Sequence, residues 1–187
     1  LFSTFILTAN AQEKVSQQEK VCEEPIPFIM EGHLYLPLTI DGTHRANMIF
    51  DTGASGQLLV DTVYLKEQRW ILNTSMWGRL RGANGYSRVK ISQKRHKVEH
   101  RKASETFPYM ILADLRCVLG KHADGLLGSN DFERLPLEIN YQQHFIRKLN
   151  AIPDSVKRNY QCLPLIFKDK ACLIKATIWF NGQAIEG

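Results

Sequence analysis

One stretch of the chain holds a carboxylate where it could do chemistry: residues 50–56, Phe-Asp-Thr-Gly-Ala-Ser-Gly. The apolar residues 46–50 before it predict a strand, and the apolar run 58–60 follows at once. Glycines in the stretch allow a tight turn and a close backbone approach that a residue with a Cβ would resist. Asp51 is therefore placed between two apolar runs and is a candidate acid or base, with a hydrogen-bonded turn aspartate as the structural alternative.

A second stretch, residues 122–132, reads His-Ala-Asp-Gly-Leu-Leu-Gly-Ser-Asn-Asp-Phe. An apolar strand entering Asp-Thr-Gly-Ala, then a glycine-containing hairpin region, then Asp-Gly-Leu-Leu-Gly, resembles the retropepsin-like aspartic proteases, in particular their bacterial members. The resemblance covers residues 26–149, and the two motifs in this order are more specific than either alone.

The resemblance implies an aspartic-type endopeptidase that uses neither metal nor cofactor. Two facing aspartates would share one proton: the ionised one would draw a proton from water while the other protonates the scissile carbonyl. Asp51 would be the catalytic carboxylate, and Asp124 is implied to be structural. Thr52 would bond across to the partner loop, and Gly53 would bring its N–H to the carboxylate. The residues implied to support the active-site loop are Thr52, Gly53, Ala54, Leu126, Leu127 and Gly128.

The glycine-rich region 78–86 contains an Asn-Gly pair, which is a hairpin signal. By its order after Asp51, the resemblance implies that this hairpin is the flap that closes over substrate. The flap residues implied are Gly78, Gly82, Asn84, Gly85 and Tyr86. An ordinary exposed hairpin is the alternative.

Apolar residues alternate at positions 34, 36, 38 and 40, which predicts a half-buried strand, and Asp-Gly at 41–42 predicts a hairpin into the strand that delivers Asp51. Pro37 removes one ladder hydrogen bond, so this strand is expected near an edge or at a bulge. Further strands are predicted at 107–112, 117–119, 137–141 and 144–149, a short helix or turn at 61–68, and a capped helix at 129–135. This pattern predicts an all-β fold, a retropepsin/pepsin-like acid protease barrel lobe with one or two short helices.

The opening of this lobe is repeated near the end of the sequence. Residues 163–167 and 174–182 match it in phase, with Asn-Gly at 181–182 corresponding to Asp-Gly at 41–42. Such self-similarity indicates a second copy of the unit, in which an aspartate equivalent to Asp51 would fall near position 191. The second catalytic aspartate is therefore expected from a second lobe, with a homodimer or a simple C-terminal hairpin as alternatives.

The N-terminal residues predict export. An apolar run followed by Ala-Asn-Ala at 9–11 is typical of the end of a secretory signal peptide, with a frayed apolar terminus as the alternative. The predicted order is a partial signal peptide at 1–11, a linker at 12–25, the protease lobe at 26–150, and a linker with the start of a second, truncated lobe at 151–187. A periplasmic or secreted location follows from this order.

Four cysteines fit an oxidising compartment, where they could form two disulfides: Cys22, Cys117, Cys162 and Cys172. Free, buried cysteines acting as small apolar residues fit equally well. No Cys-x-x-Cys pair supports a zinc ribbon. His96 and His100 have the spacing of helical metal ligands, but their segment is predicted as strand and turns, so no metal site is predicted.

The net charge of +5 comes in large part from residues 88–102, which contain seven Lys and Arg residues and a single Glu. Because aromatic residues are not interleaved within this run, a solvated outer strand or hairpin is favoured over a nucleic-acid surface. No segment has the length of a membrane-spanning helix. The predicted partners are a peptide or protein substrate and either a second lobe or a second subunit. A non-catalytic peptide-binding or interaction domain of the cell envelope is the alternative function.

Overall fold

Short β-strands dominate the structure. The computed structural model describes residues 5–7, 24–54, 56–74, 76–82, 85–101, 103–128, 135–159, 161–168 and 171–186 of the 187-residue chain. The strands in these residues are β1 (Phe5–Leu7), β2 (Ile26–Pro27), β3 (Ile29–Met30), β4 (Leu34–Ile40), β5 (His44–Phe50), β6 (Leu58–Asp61), β7 (Met76–Gly82), β8 (Gly85–Ser92), β9 (His96–His100), β10 (Ala103–Phe107), β11 (Met110–Ala113), β12 (Gly125–Leu127), β13 (Leu137–Asn140), β14 (Phe145–Lys148), β15 (Leu165–Lys168), β16 (Ala171–Ile174), β17 (Thr177–Phe180) and β18 (Gln183–Glu186). The helices are α1 (Thr62–Glu67), α2 (Arg116–Leu119) and α3 (Asp154–Asn159), with a 3-10 turn at Thr52–Ala54.

The prediction of an all-β fold is confirmed. Helix α1 lies where a short helix or turn was predicted. The predicted strand at 117–119 is wrong, because those residues belong to α2: the N–H of Leu119 bonds to the carbonyl of Leu115, and Gly120 then ends the turn at φ 77°. Val118 is 77% exposed, whereas Leu119 packs against a hydrophobic cluster, so the run is only partly covered. The predicted helix at 129–135 lies almost entirely outside the described residues.

A ten-stranded sheet forms most of the lobe, in the order β10-β9-β4-β5-β12-β6-β11-β8-β7, with β3 also paired to β4. A second sheet has the order β1-β13-β14-β2. Buried side chains from both sheets share one main hydrophobic core, to which β4, β5, β6, β13 and β14 all contribute. Burying apolar surface is the dominant stabilising term, and this core therefore holds the strands around Asp51 in place.

The first hairpin follows the sequence closely. In β4 the side chains of Leu36, Leu38 and Ile40 are buried, as the alternation predicts. The turn into β5 uses Asp41 and Gly42, both with φ above +50°, which this short connection needs. Pro37 lies opposite Asn47 of β5, and its other side falls between the short pairings with β3 and β9. Pro37 thus occupies a local edge within an interior strand, where the missing N–H costs no ladder bond.

The C-terminal segment forms two hairpins, β15–β16 and β17–β18. The turn of the second uses Asn181 at φ 48° and Gly182 at φ 77°, the same left-handed conformations that Asp41 and Gly42 adopt at φ 51° and φ 73°. The two turns that the sequence repeat aligns therefore share a backbone conformation.

The first described residues of the chain fall within the predicted signal peptide. Phe5–Leu7, within the predicted signal peptide, forms β1 beside β13, and residues 8–23 lie outside the described part. The helices that the structure describes have at most six residues each, and none of them is long and apolar enough to cross a membrane.

Candidate functional site

Asp51 leaves the end of β5 and enters a tight turn. Its backbone N–H donates to the carbonyl of Leu127 at 3.0 Å, which fixes the main chain at the start of the turn. The carboxylate Oδ1 accepts a hydrogen bond from the N–H of Gly53 at 2.8 Å. Asp51 is half-buried, so its carboxylate is held by the turn and still reaches the surface.

Glycine at position 53 leaves room for this contact. A Cβ on Gly53 would lie 3.2 Å from Oδ1 of Asp51, tighter than an ordinary van der Waals contact. Thr52 is half-buried, and Ala54 is buried at 8% exposure at the end of the turn. The N–H of Ala54 closes the turn by bonding to the carbonyl of Asp51 at 3.2 Å.

Strand β12 is inserted between the two strands that flank this turn. It pairs in parallel with β5, placing Leu127 opposite Phe50, and antiparallel with β6, placing Leu127 opposite Leu58. The N–H of Gly128 then bonds to the carbonyl of Gln57 at 2.9 Å. The structure thus brings the 126–128 stretch directly against both ends of the Asp51 turn.

The insertion of β12 requires a glycine at its start. A Cβ on Gly125 would lie 2.1 Å from the carbonyl oxygen of Leu59 and 2.7 Å from Cε of Met48. A backbone atom cannot move aside as a flexible side chain can. The Asp-Gly pair at 124–125 is therefore explained by the packing of three adjacent strands.

Asp124 lies at the opposite end of β12 from Asp51 and is tied to β5. Its Oδ2 accepts from the N–H of Asn47 at 2.7 Å, and its own N–H donates to the carbonyl of Asn47 at 2.9 Å. Burial raises the pKa of Asp124, with the Asn47 N–H and the charge of Arg116 opposing that shift. Through these contacts, the Asp124 carboxylate joins the start of β12 to β5.

A buried aspartate that the sequence did not single out lies at the end of β6. Asp61 is fully buried and caps α1, its Oδ1 accepting from the N–H groups of Val63 and Tyr64, while its Oδ2 accepts from the N–H of Leu115. Its position before a short helix is an N-cap signal that could have identified it. Burial and the charge of Asp124 raise the pKa of Tyr64 to about 12, and the Tyr64 hydroxyl donates to the carbonyl of Arg45.

In another part of the ten-stranded sheet, hydrogen bonds link the side chains of a serine, a histidine and an aspartate. The Oγ of Ser92 is 2.9 Å from Nε2 of His96, and Nδ1 of His96 is 2.9 Å from Oδ2 of Asp41. A nucleophilic triad has this order of atoms, but it needs a hydroxyl that substrate can reach. Ser92 is 1% exposed and His96 is fully buried, so these hydrogen bonds act as a structural tie between the β4–β5 turn and the β8–β9 connection.

The predicted flap region is a hairpin of β7 and β8. Only residues 90–92 of β8 pair with β11, so beyond them the two strands pair with each other alone. Gly78 is clamped, since a Cβ there would lie 2.5 Å from Cδ1 of Ile91, whereas a Cβ at Gly82 or Gly85 would meet no atom within 4 Å. Tyr86 is 62% exposed, and Asn84 lies outside the described residues.

The structure also bears on a possible metal site and on the state of the cysteines. Across the described residues, no three His, Cys, Asp or Glu side chains converge as a metal site would require. Cys117 and Cys162 are free and exposed, which disagrees both with two disulfides among the four cysteines and with buried cysteines at these two positions. Cys22 and the side chain of Cys172 lie outside the description.

Comparison with known proteins adds no relative: no protein-family model matches the chain, and no curated protein matches it at a significant level.

Proposed function

We propose that this chain is an aspartic-type endopeptidase in which Asp51 supplies one of two paired carboxylates. The observation that carries the proposal is the Asp51 turn itself. Its carboxylate accepts the N–H of Gly53 at 2.8 Å, at the junction of β5 and β6, with β12 inserted between those strands. This arrangement agrees with the roles that the resemblance to retropepsin-like proteases assigns to Asp51, Gly53 and residues 126–128.

The chemistry needs a second carboxylate beside the first. Two carboxyl groups that share one proton can act together, the ionised one taking a proton from water and the protonated one donating to the peptide carbonyl. The Gly53 N–H donates to Oδ1 and fixes the orientation of the Asp51 carboxylate within the turn. Asp51 is therefore placed to act as one member of such a pair.

The second aspartate is proposed to come from a repeat of the same unit. Two observations support this proposal: the matched left-handed φ angles of the turns at 41–42 and 181–182, and the position of β16 beside the Thr52–Ala54 turn. A second copy of the chain, related by a two-fold axis, is the other arrangement that supplies the same group. An exported, periplasmic or secreted location belongs to this proposal as well.

The β7–β8 hairpin is proposed as the flap over the bound peptide. Its outer part pairs only with itself, so it can tilt without breaking ladder bonds to β11. Closing loops exclude water from the reaction and complete the site around substrate.

The test is cleavage of an unstructured protein substrate by the full encoded chain, from about pH 4 to pH 7, the range that a shared-proton pair would cover. Asp51→Asn keeps the size of the side chain and is expected to abolish cleavage with the fold unchanged. Asp114→Asn, at an exposed position, is the matched control and should cleave as the wild type does. Unchanged turnover in Asp51→Asn would refute the proposal. Peptide binding without cleavage by either protein would favour the non-catalytic alternative.

A further inference from the structure

The outer face of the β7–β8 hairpin gathers four cations and two aromatic rings. Its strand register sets Trp77 opposite Lys90, Arg79 opposite Arg88, and Arg81 opposite Tyr86. Alternate residues of a strand point to the same side of a sheet, so these six side chains share one face, called the cationic face below. All six are exposed, with Trp77 at 50% and Tyr86 at 62%.

The rings of this face contact its cations, diagonally in the case of Arg88 and Arg79 and directly across the strands in the case of Lys90. The guanidinium carbon of Arg88 lies 4.1 Å from the Trp77 ring centre, and the ammonium of Lys90 lies 5.5 Å from it. The guanidinium carbon of Arg79 lies 4.7 Å from the Tyr86 ring centre. Such contacts hold long, flexible side chains in place, because a cation is attracted to the face of an aromatic ring. Three of the four charges, those of Arg79, Arg88 and Lys90, are therefore partly ordered before any partner binds.

The charge on this face is not balanced within the described part of the chain. Residues 76–92 contain no Asp or Glu. The ion pairs found among the described residues involve none of these four cations. Arg79 and Arg88 lie directly opposite each other, a pairing of like charges that destabilises a sheet. A locally unfavourable arrangement without internal compensation is typical of a binding surface.

We infer that the cationic face binds an acidic, extended segment of the peptide substrate. This inference rests on the proposed function, because it takes the bound peptide to be the one that is cleaved. Cations on alternate residues of a strand repeat at about 6.6 Å, the same spacing as alternate side chains of an extended peptide. Asp or Glu at every second position of such a peptide would meet Arg88 and Lys90 along β8, or Arg79 and Arg81 along β7.

The contacts of the rings favour a peptide over single-stranded nucleic acid. Sequence-tolerant binding of bases needs aromatic faces that are free for stacking. Here Trp77 is contacted by both Arg88 and Lys90, and Tyr86 by Arg79. The rings thus position cations, and the guanidinium groups offer paired donors that suit carboxylates.

The experiment measures binding separately from cleavage. Full-length protein carrying Asp51→Asn is titrated into a fluorescent twelve-residue peptide with Glu at alternate positions, and anisotropy gives Kd. A peptide with Gln in place of each Glu, and a single-stranded oligonucleotide, are the comparison ligands. We expect the Glu peptide to bind more tightly than either, and its binding to weaken as salt is raised.

Matched variants locate the surface. Arg79→Gln/Arg88→Gln is expected to weaken binding of the Glu peptide by about fivefold to tenfold, the loss of two exposed ion pairs. Arg95→Gln/Lys121→Gln removes the same charge from exposed positions off the hairpin face and should leave Kd unchanged. Equal binding of the Glu and Gln peptides, an unaffected Arg79/Arg88 variant, or tighter binding of the oligonucleotide would overturn the inference.

Failure of the inference and failure of the proposed function give different results. If wild-type protein cleaves Glu and Gln peptides equally and the anisotropy shows no preference, the inference is wrong while the protease function stands. If the Glu peptide binds as expected but Asp51→Asn cleaves as fast as wild type, the role of Asp51 is wrong and the cationic face still binds acidic peptides.

Discussion

The backbone nitrogen of Gly53 lies 2.8 Å from Oδ1 of Asp51. The Gly53 N–H therefore donates a hydrogen bond to the side chain two residues before it in the sequence. A Cβ at Gly53 would approach the same oxygen to 3.2 Å, so the Asp51 carboxylate would have to shift to accommodate it. One glycine therefore both supplies the donor and leaves room for the acceptor, and its replacement is a direct test of how Asp51 is positioned.

Gly53→Ala is expected to lower kcat by about tenfold to a hundredfold, because a small displacement of a catalytic group is costly in rate. The turn is partly exposed, so the melting temperature should change little. Steady-state kinetics and thermal unfolding of the same preparation measure the two quantities. A kcat within twofold of wild type would show that the Gly53 contact does not position the carboxylate.

Gly125→Ala is expected to lower the free energy of unfolding by about 3 kcal/mol, because the new methyl group would overlap the carbonyl oxygen of Leu59 and Cε of Met48. Gly82→Ala is the matched control, since a Cβ there meets no atom within 4 Å. Denaturant unfolding of both variants gives the comparison. Equal stability of the two would contradict the close packing of β5, β12 and β6.

Asp124→Asn should retain cleavage and lose no stability at pH 7. The amide oxygen can still accept the N–H of Asn47, and the variant lacks a half-buried carboxylate whose pKa is raised by burial. An acid with a raised folded pKa destabilises the native state above that pKa, so removing the charge helps there. Asp124→Ala, which leaves the Asn47 N–H unpaired, should lose about 1 to 3 kcal/mol. Loss of activity in a folded Asp124→Asn protein would assign Asp124 a catalytic role.

Asp41 should make stability depend on pH in the acid range. Burial acts to raise the pKa of Asp41, but the Lys97 N–H, the His96 hydrogen bond and the nearby charges outweigh it, and the pKa is lowered. A depressed folded pKa means that the stabilisation is present above the ordinary value near 3.8 and is lost as pH falls through the folded pKa. Unfolding measured between about pH 5 and pH 2 should show this loss in wild type and less of it in Asp41→Asn. Identical pH profiles would contradict the proposed linkage.

Local chemistry explains which features could be predicted from the sequence. The Asp-Thr-Gly turn, the alternation of β4 and the Asp-Gly hairpin depend on residues adjacent in the chain, and the structure has all three. The prediction failed at 117–119. The apolar residues there suggested a strand, although the side chain of Val118 is exposed in the structure. Composition alone cannot show whether a short apolar run will be covered by the rest of the molecule.

The cationic face shows why surfaces are harder to predict. Within residues 88–102 the cations have no interleaved aromatic residue, and a solvated outer strand or hairpin was expected. Pairing with β7 brings Trp77 against Arg88 and Lys90. The character of that face depends on the register of two strands, which the run itself does not contain.

The sequence by itself determined the turn that bears Asp51, because glycine sterics and the period of two in a strand act between near neighbours. Only the tertiary structure decided that β12 would lie between β5 and β6, that Asp124 would bond to Asn47 across 77 positions of sequence, and that His96 would join Asp41 to Ser92. These contacts form when the whole core is buried at once, and each of them depends on strand pairings between segments distant in the chain.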